Sequence, residues 1–103
     1  ILATITAKTS VDVQVLRKHY ENAYSNEKFV TLLPEGRLPE TSSLIGSNGV
    51  HIQLAVDSHT SRAVISVAED NLGKGAAGQA IQNANLMSGL PEDMGLTSMG
   101  IGQ

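Results

Sequence analysis

The sequence predicts an α+β fold, with a mixed, largely antiparallel sheet and helices on one face. Apolar residues recur with a period of two in several segments and of 3.6 in two others, giving the order β-α-β-β-β-α. The strands do not alternate regularly with helices, as they would in a parallel α/β sheet. Hydrophobic residues make up 41% of the 103 residues and charged residues 17%, a composition typical of a globular domain.

The first half of the chain predicts two strands and a helix. A strand is expected over residues 1–7, because one set of residues (Ile1, Ala3, Ile5 and Ala7) alternates with another (Leu2, Thr4 and Thr6). A helix is expected over residues 11–25, with Ser10 as its N-cap and Asp12 in its first turn, because apolar residues recur there at helical spacing. Residues 28–33 predict a short strand, which ends at a proline and leads into a stiff loop.

The second half predicts a hairpin followed by the clearest helix. Strands are expected over residues 50–56 and 62–68, on either side of a polar turn. The helix is expected over residues 76–88 and ends at Gly89, with a tail or docking strand beyond. Its apolar stripe, which should face the core, consists of Ala77, Ala80, Ile81, Ala84 and Met87.

The composition argues against several classes of function. The net charge is −3 and no basic stripe is present, so binding of nucleic acid by bulk charge is not expected. No apolar run approaches the roughly 20 residues that span a membrane. The chain has no cysteine, which excludes a disulfide, a thiolate metal site or a cysteine nucleophile within it. Its three histidines are not at metal-ligand spacing, and we predict no metal site.

Residues 73–78, Gly-Lys-Gly-Ala-Ala-Gly, match the dinucleotide-binding pattern G-x-G-x-x-G between a strand and a helix. The N–H groups of a helix start can bind phosphate, and Lys74 would add a positive charge. A complete site also needs a second parallel strand and a later acidic residue, for which the 25 residues after Gly78 leave no room. The alternative is a helix whose small residues pack closely on a neighbouring element.

Four blocks of the chain resemble one enzyme family. They are Ile1–Thr4, Leu32–Thr41, Gly46–Asn48 and the long segment Asp70–Met87 with its continuation Gly89–Glu92. In this order they are similar to the C-terminal part of N-acetyl-gamma-glutamyl-phosphate reductases, and the resemblance covers nearly the whole chain. Two residues depart from the family's pattern, Glu69 and Gly73.

The resemblance implies a C-terminal domain like that of glyceraldehyde-3-phosphate dehydrogenase. Residues 1–70 would belong to the substrate and dimerisation domain, forming a homo-oligomer through the sheet. Residues 71–103 would form the C-terminal helix and tail that return to a nucleotide domain. Because a strand begins at the first residue, we expect the chain to have been cut from a longer protein.

The resemblance also implies an activity, the NADPH-dependent reduction of N-acetyl-glutamyl 5-phosphate to its semialdehyde and phosphate in cytoplasmic arginine biosynthesis. The family's cysteine nucleophile and acid–base histidine match no residue here, so no catalytic residue is assigned and the chain alone should be inactive. The residues expected near NADP are Asn71, Lys74, Gly75 and Gln79. Two alternatives stay open: a related acyl-phosphate reductase of lysine or aspartate metabolism, and a stand-alone dimerisation or interaction module. Neither a nucleic acid nor a membrane is expected as a partner.

Overall fold

The computed structural model describes residues 1–101 and confirms the predicted α+β fold with its mixed sheet. Two short helical turns, a 3₁₀ turn and a π-helical turn, add to the predicted elements. In chain order the elements are β1 (Leu2–Lys8), α1 (Val13–Tyr24), β2 (Val30–Leu32), the 3₁₀ turn (Thr41–Leu44), β3 (Val50–Asp57), β4 (Arg62–Glu69), the π turn (Gly73–Ala77) and α2 (Gly78–Met87).

The four strands lie in the order β1-β4-β3-β2. β4 pairs antiparallel with both β1 and β3, whereas β2 runs parallel to β3. Ile65 lies opposite Ile5 on one side and Leu54 on the other, so the three side chains share one face of the sheet. The predicted hairpin of β3 and β4 is therefore confirmed, and the predicted first strand lies at the edge of the sheet.

The hydrophobic core lies between α1 and the β3–β4 hairpin. Leu16 and Tyr20 of α1 pack against the buried side chains of the sheet, because they lie one turn apart on the same face of the helix. α1 contacts β2 and β3, and the side chains of β1 remain open, with Ile5 52% and Leu2 61% exposed. The buried residues of the core are Val50, Ile52, Leu54, Ala63 and Ile65.

The N-terminus of α1 differs from the prediction. Asp12, not Ser10, is the N-cap, because its extended backbone lets Oδ1 accept a hydrogen bond from the Val15 N–H at 2.9 Å. Ser10 lies two residues farther out, and the prediction was wrong by those two residues. The helix accordingly begins at Val13.

The buried side of α2 also differs from the prediction. Its buried residues are Gly78, Gln82 and Asn85, spaced by four and three positions on a line of their own. The predicted apolar stripe points outward, with Ile81 45% and Met87 88% exposed. The assignment of the stripe to the core was wrong, because α2 packs on polar groups before β3 and after its own end, with which Gln82 and Asn85 form hydrogen bonds.

The end of α2 is as predicted. Gly89 has a φ of +67°, and the N–H groups of Gly89 and Leu90 donate to the carbonyls of Leu86 and Asn85. These two bonds form a Schellman motif, which glycine favours because it adopts a positive φ without strain. The tail then docks without forming a strand, and the Ile101 N–H donates to the Ile45 carbonyl at 3.0 Å. Within residues 1–101, neither helix has the length and apolar content that a membrane span requires.

Candidate functional site

The candidate site is the junction at which the loop of residues 46–48, between the 3₁₀ turn and β3, meets the start of α2. Ser47 and Asn48 of this loop are buried. A cleft opens on each side of them, one of about 490 Å³ towards β2 and one of about 450 Å³ towards α2. The loop therefore separates two cavities. Its position depends on the hydrogen bonds and packing contacts that it makes with the segment between β4 and α2.

Asp70 ties this loop to the segment that follows β4. Its Oδ2 accepts a hydrogen bond from the Gly46 N–H at 2.8 Å, and its Oδ1 accepts one from the Leu72 N–H at 3.1 Å. These bonds, with a weaker one from the Gly73 N–H, hold the pKa of the Asp70 carboxyl below its ordinary value. Asp70 is thus a charged acceptor that joins two backbone segments 24 residues apart.

The glycines of the G-x-G-x-x-G match serve close packing. A Cβ on Gly73 would lie 2.1 Å from the Ser47 carbonyl oxygen, and one on Gly78 would lie 2.3 Å from Asn48 Oδ1. The Gly75 N–H donates to the Asp70 carbonyl at 2.9 Å, so it is already engaged within the turn. The structure therefore supports the packing interpretation of this motif, since at least one of its N–H groups is used internally.

A buried polar network connects the loop to α2. Gln82 Oε1 accepts hydrogen bonds from Asn48 Nδ2 at 3.0 Å and from Lys74 Nζ at 2.7 Å. The Lys74 ammonium also lies 5.3 Å from the ring centroid of Phe29, a cation–π distance. Asn48 Oδ1 is buried and accepts no hydrogen bond within residues 1–101; it rests against Gly78. Lys74 is thus held inward by Gln82 and Phe29.

Sequence reasoning missed Gln82 as a member of the junction, because it lies off the apolar stripe of α2. The available signal was a set of non-apolar residues at positions 78, 82 and 85, which share one line of a helix. A glycine followed by two amides at that spacing is consistent with packing on a polar backbone segment.

Comparison with known proteins gives the family. The sequence signature described as "semialdehyde dehydrogenase, dimerisation domain" matches residues 1–71, more than half of the chain. The chain belongs to this family. It is 50% identical over 103 residues to the N-acetyl-gamma-glutamyl-phosphate reductase of Frankia casuarinae, and 52% identical to that of Acidothermus cellulolyticus. The Mycobacterium avium reductase is 48% identical over 101 residues. These alignments cover 98% of the chain, which spans about 30% of the length of each relative.

The four residues predicted to contact the cofactor lie between the end of β4 and the first turn of α2, and they differ in exposure and in hydrogen bonding. Asn71 is exposed, and its side-chain amide makes no hydrogen bond within residues 1–101. Gln79 is half-buried and donates from Nε2 to Asn83 Oδ1 at 3.0 Å. Lys74 and Gly75 are engaged as described above. Of these four residues, Asn71 is the one with an exposed side chain that no hydrogen bond within residues 1–101 engages.

The histidines do not form a centre of their own. His51 lies on β3 and lines the larger cleft, where burial lowers the pKa of its imidazole. His59 lies in the exposed β3–β4 turn, and its backbone N–H donates to Asp57 Oδ1 at 3.0 Å. Across residues 1–101, no three His, Asp or Glu side chains cluster as metal ligands would.

Proposed function

We propose that this chain is the C-terminal part of an NADP-dependent reductase, which converts N-acetyl-glutamyl 5-phosphate to its semialdehyde and phosphate in cytoplasmic arginine biosynthesis. One observation carries the proposal: the chain is about half identical, over 98% of its length, to proteins that bear this enzyme's name. The chain is about 30% as long as those proteins, so most of the proposed enzyme lies outside it.

The chemical step needs a nucleophile to attack the acyl phosphate and an acid–base group beside it. The chain has no cysteine, so a cysteine nucleophile would have to come from the rest of the polypeptide. We therefore propose that these 103 residues are inactive alone. In the whole enzyme they support the active site and contact the cofactor at one edge of it.

NADPH, when bound, supplies the hydride, and the residues of this chain that we assign to it are Asn71, Lys74, Gly75 and Gln79. Asn71 supports the assignment best because its exposed amide can both donate and accept a hydrogen bond. Lys74 would reach an anionic group only by leaving Gln82, to which it now donates at 2.7 Å. We propose that Lys74 and Gly75 mainly stabilise the turn that contains Asn71.

Two exposed apolar surfaces, one on α2 and one on β1, support a proposal about which domains contact this chain in the whole protein. We propose that residues 1–70 belong to a substrate and dimerisation domain, and that residues 71–103 return to a nucleotide domain. The exposed apolar side of α2, with Ile81 and Met87, supports the second assignment, because helices normally bury such a side. The exposed side chains of β1 support association of two copies through the sheet.

Titration of the full-length protein with NADPH, together with an assay of N-acetyl-glutamyl phosphate reduction, tests the proposal. The wild type should bind NADPH and reduce the substrate, and Asn71→Ala should weaken NADPH binding. Asn26→Ala, which removes an exposed amide in the turn between α1 and β2, is the matched control and should bind as the wild type does.

Two results would contradict this function. A protein that dimerises but does not bind NADPH would be the stand-alone dimerisation module, which the absence of cysteine favours. A protein that binds NADPH but reduces an aspartyl or lysine-pathway acyl phosphate in preference would keep the reaction and change the substrate. Sequencing the reading frame upstream of Ile1 adds an independent check, because the proposal requires a cysteine and a histidine there.

A further inference from the structure

We propose that Asp70 is a positioning residue: its carboxylate couples the loop of residues 46–48 to the turn that carries Asn71, and so fixes the direction in which Asn71 meets the cofactor. This inference rests on the proposed function, because it assumes that Asn71 contacts NADPH. It adds a residue that acts through Asn71 without touching the cofactor.

The hydrogen bonds of Asp70 enclose Asn71. Oδ1 accepts from the Leu72 N–H, so the side chain of Asp70 bridges over the residue between them. The Asp70 carbonyl accepts from the Gly75 N–H at 2.9 Å, which fixes the far side of the same turn. Asn71 is therefore held between two bonds to one residue, and its exposed side chain projects from a fixed backbone.

The second carboxylate oxygen ties this turn to the loop. Oδ2 accepts from the Gly46 N–H at 2.8 Å, and the loop is itself wedged against the π turn, where a Cβ on Gly73 would lie 2.1 Å from the Ser47 carbonyl. The loop and the turn are thus in direct contact at two points, so a shift at one is transmitted to the other. The orientation of Asn71 thus depends on a contact with Gly46.

Replacement of Asp70 by asparagine tests this coupling with little change of shape. An amide has one acceptor oxygen, whereas the carboxylate uses both of its oxygens on backbone N–H groups. Asp70→Asn keeps one of these bonds and turns an NH₂ group towards the other N–H. The loop or the turn is then released, while the residue's volume stays nearly the same.

Asp57 is a matched control. It is the last residue of β3 and holds the turn after it, since its Oδ1 accepts from the His59 N–H at 3.0 Å and its Oδ2 from Thr60 Oγ1 at 2.6 Å. This turn joins β3 to β4, at the end of the sheet away from the junction, because Asp57 pairs with Arg62 and the other end of β4 leads to Asp70. Asp57→Asn should weaken a turn of the same kind without moving Asn71.

The experiment measures the dissociation constant of NADPH by fluorescence titration of the full-length protein, with the wild type and four variants. The variants are Asp70→Asn, Asp57→Asn, Asn71→Ala and the double variant Asp70→Asn/Asn71→Ala. We expect Asp70→Asn to raise the dissociation constant by up to roughly tenfold, and by no more than Asn71→Ala does, because it acts by weakening the hydrogen bond that Asn71 makes with the cofactor. Asp57→Asn should leave it unchanged. In the Asn71→Ala background, Asp70→Asn should add little, because its effect passes through the side chain already removed.

Each other outcome has a definite meaning. Equal dissociation constants for Asp70→Asn and Asp57→Asn would overturn the inference, and so would a full additional loss in the double variant, which would indicate a general structural role. A wild type that does not bind NADPH would overturn the proposed function, and this inference with it. If Asp70→Asn does not fold, Asp70→Ser replaces it, because a hydroxyl can also serve only one side of the contact and carries no opposing NH₂ group.

Discussion

Gly78→Ala is the sharpest test of the close packing between α2 and the loop of residues 46–48. The new Cβ would lie 2.3 Å from Asn48 Oδ1 and 2.7 Å from the Gly73 carbonyl oxygen, so the helix or the loop must move. Forced overpacking costs about 1–3 kcal/mol. Displacing Asn48 also breaks its buried hydrogen bond to Gln82, which costs about 1–3 kcal/mol more. Alanine returns about 1 kcal/mol of helix propensity. The free energy of unfolding should therefore fall by about 1–5 kcal/mol.

Urea and thermal unfolding, followed by circular dichroism, measure this change. A loss of that size lowers the Tm of a chain this long by roughly 4 °C or more. Gly75→Ala is the control, because its Cβ would meet no atom closer than 3.3 Å, and it should change stability by less than about 1 kcal/mol. The reasoning is refuted if Gly78→Ala is as stable as the wild type, or if both variants lose the same amount. Asn48→Ala should make Gly78→Ala less costly than it is in the wild-type background, since it removes one of the clashing atoms.

Three further predictions follow from the caps and the polar network. Asp12→Ala should lower the free energy of unfolding by about 1 kcal/mol through loss of the N-cap, whereas Ser10→Ala should leave urea denaturation unchanged. Gln82→Met keeps the volume but deprives the buried Asn48 amide of its acceptor, so we expect a loss of about 1–3 kcal/mol in the same assay. Stability should also fall with acid, because hydrogen bonds lower the pKa of three carboxyls in the folded chain below the ordinary value of 3.8. Their contribution to stability is complete above that value and is lost as the pH falls through the lower pKa of the folded state. The urea concentration at the midpoint of unfolding should therefore decrease once the pH is below about 4. The decrease should be less steep when one of the three carboxyls is replaced by asparagine. The three are Asp57, Asp70 and Asp93.

The hairpin shows what periodicity predicts well. Ile52 and Leu54 on β3 and Ile65 on β4 are buried on one face, as their alternation indicated, because a strand places every second side chain on the same side. The end of α2 was equally readable, since Gly89, Leu90 and Pro91 specify the motif locally. In both places neighbouring residues alone determine the structure.

α2 shows where such reasoning failed. Its most apolar stripe was assigned to the core, yet Gln82 and Asn85 are buried and Ile81 is 45% exposed. Asn85 Nδ2 donates to the carbonyls of Glu92 and Met94, and Gln82 meets Asn48 and Lys74. The line of non-apolar residues along the helix could indicate that α2 packs on polar groups, but not on which ones. The partners of Gln82 and Asn85 lie outside the helix and satisfy their amides only once the chain has folded.

The sequence by itself determined the order of the elements, the hairpin, the helix stop and, through its four blocks, the family. These depend on residues close together in the chain or on a pattern spread along all of it. Only the tertiary structure decided that Gly73 and Gly78 serve contact with Ser47 and Asn48, and that Asp70 joins Gly46 to the turn beside Asn71. Such contacts link segments about 24 to 30 residues apart. Whether a glycine faces a ligand or a carbonyl depends on which backbone the fold brings against it.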